Sequence, residues 1–354
     1  MRGAVRRRGR MPPVAGSPWR LTAGAGLALT AVLFLLPLLT VRGEGGGAAG
    51  ETENAPLTAT APEGQTTRAA RDRGHIVKLL QPDGTVEELT MVDYLFGVVA
   101  AEMPAAFEEE ALKAQACAAR TYTVVRQASA HAAHPQADVC TDSGCCQAYV
   151  ERQAAETRWG ISAGTYSAKI SQAVADTDGL GILYQGAPIQ AVFFSSAAGR
   201  TVDAVEVWGN AVPYLTSVDS PEGDEVPNYH STVTVPLDEF KSKLLAQYPQ
   251  ADLSGDPSGW FGTPASSGGA VTSIPVGGVT LTGSQVRTLF SLRSAAFTVA
   301  WDGTSFIFSV TGYGHGVGMS QYGANAMAKE GSSFRDILTW YYTGAQVDDL
   351  WAES

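Results

Sequence analysis

Residues 21–41, LTAGAGLALTAVLFLLPLLTV, are 21 uncharged residues preceded by Arg2, Arg6, Arg7, Arg8, Arg10 and Arg20. About 20 helical residues cross a bilayer core, and an arginine-rich flank favours the cytoplasmic side. The run therefore predicts a transmembrane anchor with the rest of the chain outside the cytoplasmic membrane. A cleaved signal peptide has a shorter apolar region, about 7–15 residues, and a small-residue cleavage site. No clear Ala-x-Ala site follows Leu39. The expected plan is a basic tail over 1–20, an anchor over 21–41, a linker over 42–75 and a folded body over 76–354.

Charge divides at the same point. Seven of the 24 basic residues lie within 1–42, where no acid occurs, which leaves 17 basic residues against 35 acidic ones afterwards. An acidic body argues against non-specific binding to nucleic acid. Hydrophobic residues make up 45% of the chain, too many for a wholly disordered protein, and four cysteines are too few for a disulfide scaffold. The stretch after the anchor is rich in Gly, Ala, Thr, Pro and Glu without apolar periodicity, the composition of a flexible tether.

In the body, the Asp83-Gly84 turn predicts a hairpin over 75–89. Apolar spacing at Val92, Leu95, Val98 and Val99 predicts a helix, and Pro104 stops it near Glu102. An Ala-rich helix follows over about 108–129, its acidic first turn suited to the positive end of a helix dipole. From about Gly160 the chain reads as strands around glycine-containing turns. A strand is expected near 231–237, a hairpin over 297–309, and helices over 321–330 and 334–342. The expected class is α+β: an N-terminal transmembrane helix, then an early helical segment, a β-rich middle and C-terminal helices.

Four groups of residues have chemical potential. Glu102 ends a helix among small and apolar residues, where burial and the negative helix end both favour the protonated carboxyl. Such a group can act as a general acid, although the local sequence suits an ordinary solvated glutamate as well. Lys113, Ala116, Cys117 and Arg120 share one face of the next helix, so Lys113 and Arg120 either orient a neighbour or form a solvated face. His131, His134, Cys140, Cys145 and Cys146 crowd one loop. His134, Cys140 and Cys146 with Cys145 suit tetrahedral zinc, and a disulfide suits the same residues outside the cytoplasm. Cys117 reads as a small buried residue. In the run GYGHGVGMSQYGANAMAKEG, Gly312, Gly314, Gly316 and Gly318 allow close backbone approach, and His315 is presented to a cleft. A tight structural turn is the competing account. No P-loop lysine follows the run, and the Rossmann context is missing.

The runs VVAAEMP, ALKAQACAARTY, CTDSGCCQAY, AVFFSSAAGRT, VWGNAVPYLTSVDSP, GYGHGVGMSQYGANAMAKEG and ILTWYYTG, in this order, resemble the stage II sporulation protein D family, which includes amidase enhancers of the cell wall. The resemblance implies a membrane-anchored peptidoglycan lytic transglycosylase that cuts MurNAc-GlcNAc bonds to 1,6-anhydro ends during engulfment. A non-catalytic amidase enhancer is the alternative. The resemblance implies Glu102 as catalytic acid/base, and Lys113 and Arg120 as supporting cations. Ser195, Ser196, His315, Ser320, Gln321 and Tyr322, from the matched runs, are implied to bind substrate or support the site. His134, Cys140, Cys145 and Cys146 are implied as ligands of a structural zinc. Cys145 stands where the family commonly has His, and Ala198-Gly199 where a glycine pair is usual. The implied partners are glycan strands, a peptidoglycan amidase and another sporulation membrane protein, with the body in the space between mother cell and forespore.

Overall fold

The computed structural model describes residues 69–129 and 132–352. The chain enters through helix α1 (Ala70–Arg73), then strands β1 (Ile76–Leu80) and β2 (Val86–Thr90). These pair antiparallel from Ile76↔Thr90 to Leu80↔Val86 around the Asp83-Gly84 turn. The Asp83 carboxylate accepts from the Thr85 N–H at 2.9 Å, and Gly84 takes the positive φ that the turn requires. The folded body therefore starts by Ala69 rather than at 76: Asp72, placed in the linker by composition, is completely buried.

Helix α2 (Met91–Glu102) is capped by Thr90, whose hydroxyl accepts from the Asp93 N–H. It ends at Glu102 as the sequence requires, because Met103 is extended ahead of Pro104 (φ −115°, ψ 142°). Helix α3 (Glu109–Gln127) is the central element. Its alanines are buried, so neighbouring helices pack close to its backbone. Strand β3 (Val139–Cys140) joins β1 in parallel. Helix α4 (Arg152–Trp159) follows, then helix α5 (Ala163–Asp176), where strands were expected. Ile170, Ala173 and Val174 are the buried face of α5, an i, i+3, i+4 pattern that Gly and Thr in the neighbouring sequence had disguised. Strands begin only at β4 (Leu180–Tyr184), β5 (Ala187–Pro188) and β6 (Phe193–Phe194), and a short helix α6 (Ala204–Trp208) ends this stretch.

Residues 230–311 build a second lobe with its own core. It contains β7 (His230–Pro236), α7 (Leu237–Gln247), β8 (Ala265–Ser267), β9 (Ala270–Val276), β10 (Val279–Leu281), α8 (Gly283–Phe290), β11 (Phe297–Trp301) and β12 (Ser305–Thr311). Two antiparallel sheets, β10-β9-β8 and β11-β12-β7, enclose stacked aromatics centred on Phe240, Phe290, Phe306 and Phe308. The chain then returns to the first lobe through β13 (Met319–Ser320), α9 (Gln321–Lys329), α10 (Phe334–Tyr341) and β14 (Gln346–Asp349). Helices α9 and α10 dock on the start of α3: Glu108 donates its N–H to Asn325 at 2.8 Å, and Phe334 donates its N–H to Glu110 at 2.7 Å. Residues 77–215 and 317–345 share one hydrophobic core, so the second lobe is an insertion into the first.

The architecture is mixed α/β. Among the described residues no helix is long and apolar enough to cross a membrane. This corrects the expected class, which began with a transmembrane helix and put strands where α5 stands. Residues 21–41 lie outside the described residues.

Candidate functional site

The carboxyl group of Glu102 emerges where α2 ends. Its Oε1 accepts from the Ala148 N–H at 2.7 Å, and its Oε2 from the Gln321 side-chain amide at 3.3 Å. Burial raises its pKa above the ordinary glutamate value, and these two donors only partly oppose that effect. The site is thus made from four parts of the chain: the end of α2, the segment after Cys146, the first residue of α9, and α3. From α3, the wholly buried Gln115 accepts from Gln321 at 3.5 Å. Gln115 was not selected from sequence. The available signal was a lone amide among the buried alanines of α3.

Of the two accounts of the Gly-rich run, the packing favours the structural one. A Cβ at Gly318 would lie 2.2 Å from the Val192 carbonyl, and one at Gly314 would lie 2.6 Å from Phe194. The glycines are required by the chain's own segment 192–202, with which the run pairs through Met319↔Phe193 and Ser320↔Phe194. His315 is a strut in that packing. Its Nε2–H donates to the Phe193 carbonyl at 3.0 Å, and its Nδ1 accepts from the Val317 N–H at 3.2 Å. Burial, reinforced by the nearby positive charge of Arg287, pushes its pKa down to about 4, so the ring is neutral. Ser196 exchanges backbone bonds with Tyr313, and the Ser195 carbonyl accepts from the Tyr322 N–H at 3.0 Å. The small cavity lined by Phe194, Ser196, His315 and Ala296 has a volume of about 20 Å³, room for a water molecule rather than a sugar.

Ser320 is fully buried and caps α9, accepting from the Gly323 N–H while its hydroxyl donates to Glu222. The Glu222 carboxylate, only 4% exposed, also accepts from the Ala197 N–H at 2.6 Å and the Ser220 hydroxyl at 2.5 Å. A carboxylate beside a helix N-terminus is electrostatically favoured. Glu222 therefore fixes the start of α9, and with it Gln321 against Glu102. Sequence reasoning missed it because it lies one residue beyond the matched run ending at Pro221. Glu222→Ala would leave three buried donors without their acceptor. At about 1–3 kcal/mol for each uncompensated group, we expect a loss of at least about 3 kcal/mol in urea unfolding. Glu222→Gln, which keeps one acceptor oxygen, should cost less.

The two implied cations do not reach Glu102. Lys113 is held by Glu110 at 2.8 Å and Asp176 at 3.3 Å. Arg120 is completely buried against Asp72, Nη2 to Oδ2 at 2.6 Å, and donates to the Leu180 carbonyl at 2.8 Å. Arg120 is enclosed in the core and cannot touch a polymer, so of the two roles implied for it, support or substrate binding, direct substrate contact is the one its burial opposes. The i+7 spacing from Lys113 identified the helix face but not that the fold covers its C-terminal part.

His134, Cys140, Cys145 and Cys146 converge, their ligand atoms all within 4.8 Å of one another. His134 donates from Nδ1 to the Ala137 carbonyl at 3.1 Å, which turns Nε2 towards Cys146 Sγ at 3.3 Å. A backbone carbonyl on the far ring nitrogen is the usual orientation device for a metal-ligating histidine. The four cysteines form no disulfide. The Sγ atoms of Cys145 and Cys146 stand 4.0 Å apart, close to the ~3.8 Å edge of a tetrahedron with Zn–S bonds of about 2.3 Å. The donor set fits a metal, and Cys145 serves as the fourth member. Ala148, which holds Glu102, is two residues beyond Cys146, so the cluster and the carboxyl share one loop. His131 lies outside the described residues.

A family model for SpoIID, stage II sporulation protein, matches residues 82–184, which run from the β1-β2 turn through Glu102 and the Cys/His loop to the end of β4. The stage II sporulation protein D of Bacillus subtilis (strain 168) is 38% identical over 327 residues, covering 91% of this chain and 94% of that protein. The protein of the same name from Bacillus amyloliquefaciens is 38% identical over 75% of this chain and 76% of its own length. An amidase enhancer of Bacillus subtilis is 28% identical, over 72% of this chain and 40% of that longer protein. The chain belongs to the stage II sporulation protein D family.

Proposed function

We propose that the protein is a peptidoglycan lytic transglycosylase, with Glu102 as its single acid/base. The observation that carries this reading is the Glu102 carboxyl itself: partly buried, raised in pKa, and aimed by Ala148 and Gln321. The protonated carboxyl gives its proton to the glycosidic oxygen as the MurNAc-GlcNAc bond breaks. The resulting carboxylate takes the proton of the muramoyl C6 hydroxyl, whose oxygen bonds to C1 of the same sugar and closes the 1,6-anhydro ring. The nucleophile is intramolecular, so proximity replaces the activated water and second carboxylate of ordinary glycoside hydrolysis. Gln321 and the Ala148 N–H hold the carboxyl at the bond, and Glu222 holds Gln321.

Zinc suits the cluster of His134, Cys140, Cys145 and Cys146. Four protein ligands close a tetrahedral site, so the metal would supply rigidity to the loop carrying Ala148. Cys140→Ser should lower bound zinc in metal analysis of the purified protein. Unchanged metal content together with a mapped disulfide would contradict the site.

The setting is the wall side of the cytoplasmic membrane between mother cell and forespore. A peptidoglycan amidase and a second sporulation membrane protein are the partners this reading calls for. The second reading, a non-catalytic amidase enhancer that binds glycan, is favoured by the relative of that name. Incubation with peptide-free glycan strands separates the two: release of 1,6-anhydro ends supports the enzyme, and amidase stimulation without release supports the enhancer.

A further inference from the structure

The loop that suits a metal also brings three thiols within reach of one another. Cys140 ends β3, and Asp142 closes the turn that follows: its carbonyl accepts from the Cys145 N–H at 3.0 Å and the Cys146 N–H at 2.8 Å. The Asp142 carboxylate accepts from the Gly144 N–H at 2.8 Å. This turn folds Cys145 and Cys146 back towards Cys140, so that the three Sγ atoms and a His134 ring nitrogen lie within 4.8 Å of one another. Helix α3 pins the turn, since the Tyr122 hydroxyl and the Arg126 guanidinium each donate to the Cys145 carbonyl at 3.4 Å.

The three sulfurs are not equivalent. Cys140 is buried, Cys146 Sγ meets His134 Nε2 at 3.3 Å, and Cys145 is the least enclosed. Cys145 and Cys146 pair poorly, because adjacent Cα atoms are about 3.8 Å apart and a disulfide prefers roughly 4.4–6.8 Å. Cys140 meets Cys145 across the turn without that restriction. Metal binding needs deprotonated thiols, and the thiolate is also the form that attacks an oxidant.

We propose that Cys140 and Cys145 are an oxidisable pair: a peroxide converts them to a disulfide, which ejects the metal and loosens the hold of Ala148 on Glu102. The proposal rests on the reading of the cluster as a zinc site and adds a chemical modification of that site. The Cys145 sulfur attacks one peroxide oxygen and the O–O bond breaks, giving a sulfenic acid and a hydroxide that takes a proton to become water. The Cys140 sulfur then attacks the Cys145 sulfur. The S–S bond forms, the S–O bond breaks, and a second hydroxide leaves as water. The two thiolates lose two electrons and the peroxide gains them. His134 and Cys146 are then the remaining ligands, too few for a tetrahedral zinc site. Ala148, whose N–H donates to Glu102 at 2.7 Å, is in the chain directly beyond them.

The test treats the full chain, reduced and loaded with zinc, with hydrogen peroxide. Zinc release is read with a chromogenic chelator, the disulfide by peptide mapping, and the loop by amide exchange at Ala148. About one zinc should be released per Cys140–Cys145 disulfide, and a dithiol with added zinc should reverse it. Exchange at Ala148 should become about tenfold faster. Cys117, wholly buried in α3, should stay reduced and serves as the internal control. Cys145→His keeps four possible ligands, so it should bind zinc and release it to peroxide about tenfold more slowly. Zinc retained without a disulfide in the treated parent overturns the proposal without depending on any variant's folding. A Cys140–Cys146 disulfide overturns the assignment to Cys145, and unchanged exchange at Ala148 after zinc release overturns the coupling to Glu102. A reduced chain that takes up no zinc defeats the metal reading instead, and the peptide map still decides the disulfide.

Discussion

Glu102→Gln should reduce release of 1,6-anhydro ends by at least about a hundredfold while the protein stays folded. General acid/base groups contribute about 10²–10⁴ in rate, and in the proposed reaction one carboxyl performs both proton transfers. The substitution keeps the side chain's size and an acceptor for the Ala148 N–H, so the loop that holds it should not move. The pH dependence follows from the same burial. The first transfer needs the protonated form, and desolvation raises the Glu102 pKa. Activity should therefore fall as pH rises through that raised value, giving an alkaline limb above the ordinary carboxylate range. Stability should move in the same direction. A carboxyl with a raised pKa in the fold contributes fully below its unfolded value of about 4.3, and that contribution is lost as pH rises through the folded value. At neutral pH the Gln variant should then be as stable as the parent or more so, with the difference vanishing in acid. Thermal melts of both proteins across pH check this. A Gln variant less stable at neutral pH would show that the carboxylate, rather than the carboxyl, is what the fold prefers.

Asp72→Ala should produce a large loss of stability, about 3–5 kcal/mol, because it leaves Arg120 charged and without its carboxylate in the core. Asp72 and Arg120 are both wholly buried, and Asp72 also accepts from the Trp351 indole at 3.2 Å and the Gly179 N–H at 3.3 Å. This one carboxylate therefore joins the start of the body, α3, the turn before β4 and the end of the chain. Domain stabilities are about 5–15 kcal/mol, so the loss is a large fraction of the total. The nearby Arg71–Asp349 pair provides the control. Its side chains are 41% and 29% exposed, and exposed pairs contribute about 0–1 kcal/mol. Asp349→Ala should accordingly have little effect on the urea midpoint. Similar midpoints for the two variants would contradict the view that Asp72 is a structural anchor.

Features fixed by local chemistry were legible in the sequence. The Asp83-Gly84 turn, the stop at Pro104, and helices α3, α9 and α10 all followed from short-range signals. Long-range features were not. Helix α5 looked like strand because its buried positions are only Ile170, Ala173 and Val174, set between exposed polar residues. Arg120 looked like a surface cation because its partner, Asp72, lies 48 residues earlier in a segment with linker composition. The glycines of the 312–318 run signalled close approach, but sequence could not tell whether a ligand or the chain's own 192–202 segment was the neighbour. Among site residues, Glu102 was singled out only by the family resemblance, since its local sequence suits a solvated glutamate as well, and the His134, Cys140, Cys145 and Cys146 cluster was marked by residue type and spacing that left zinc and a disulfide equally open. Gln115 and Glu222 act through contacts across more than 20 residues, which no local pattern carries.

The central claim is that Glu102 is the sole acid/base for glycan cleavage. Its most direct test is mass analysis of peptide-free glycan strands after incubation with the purified parent protein and with Glu102→Gln. The account predicts 1,6-anhydro ends from the parent and none above background from the folded variant. Equal release by both proteins, or no release by a parent that stimulates an amidase under the same conditions, would contradict it.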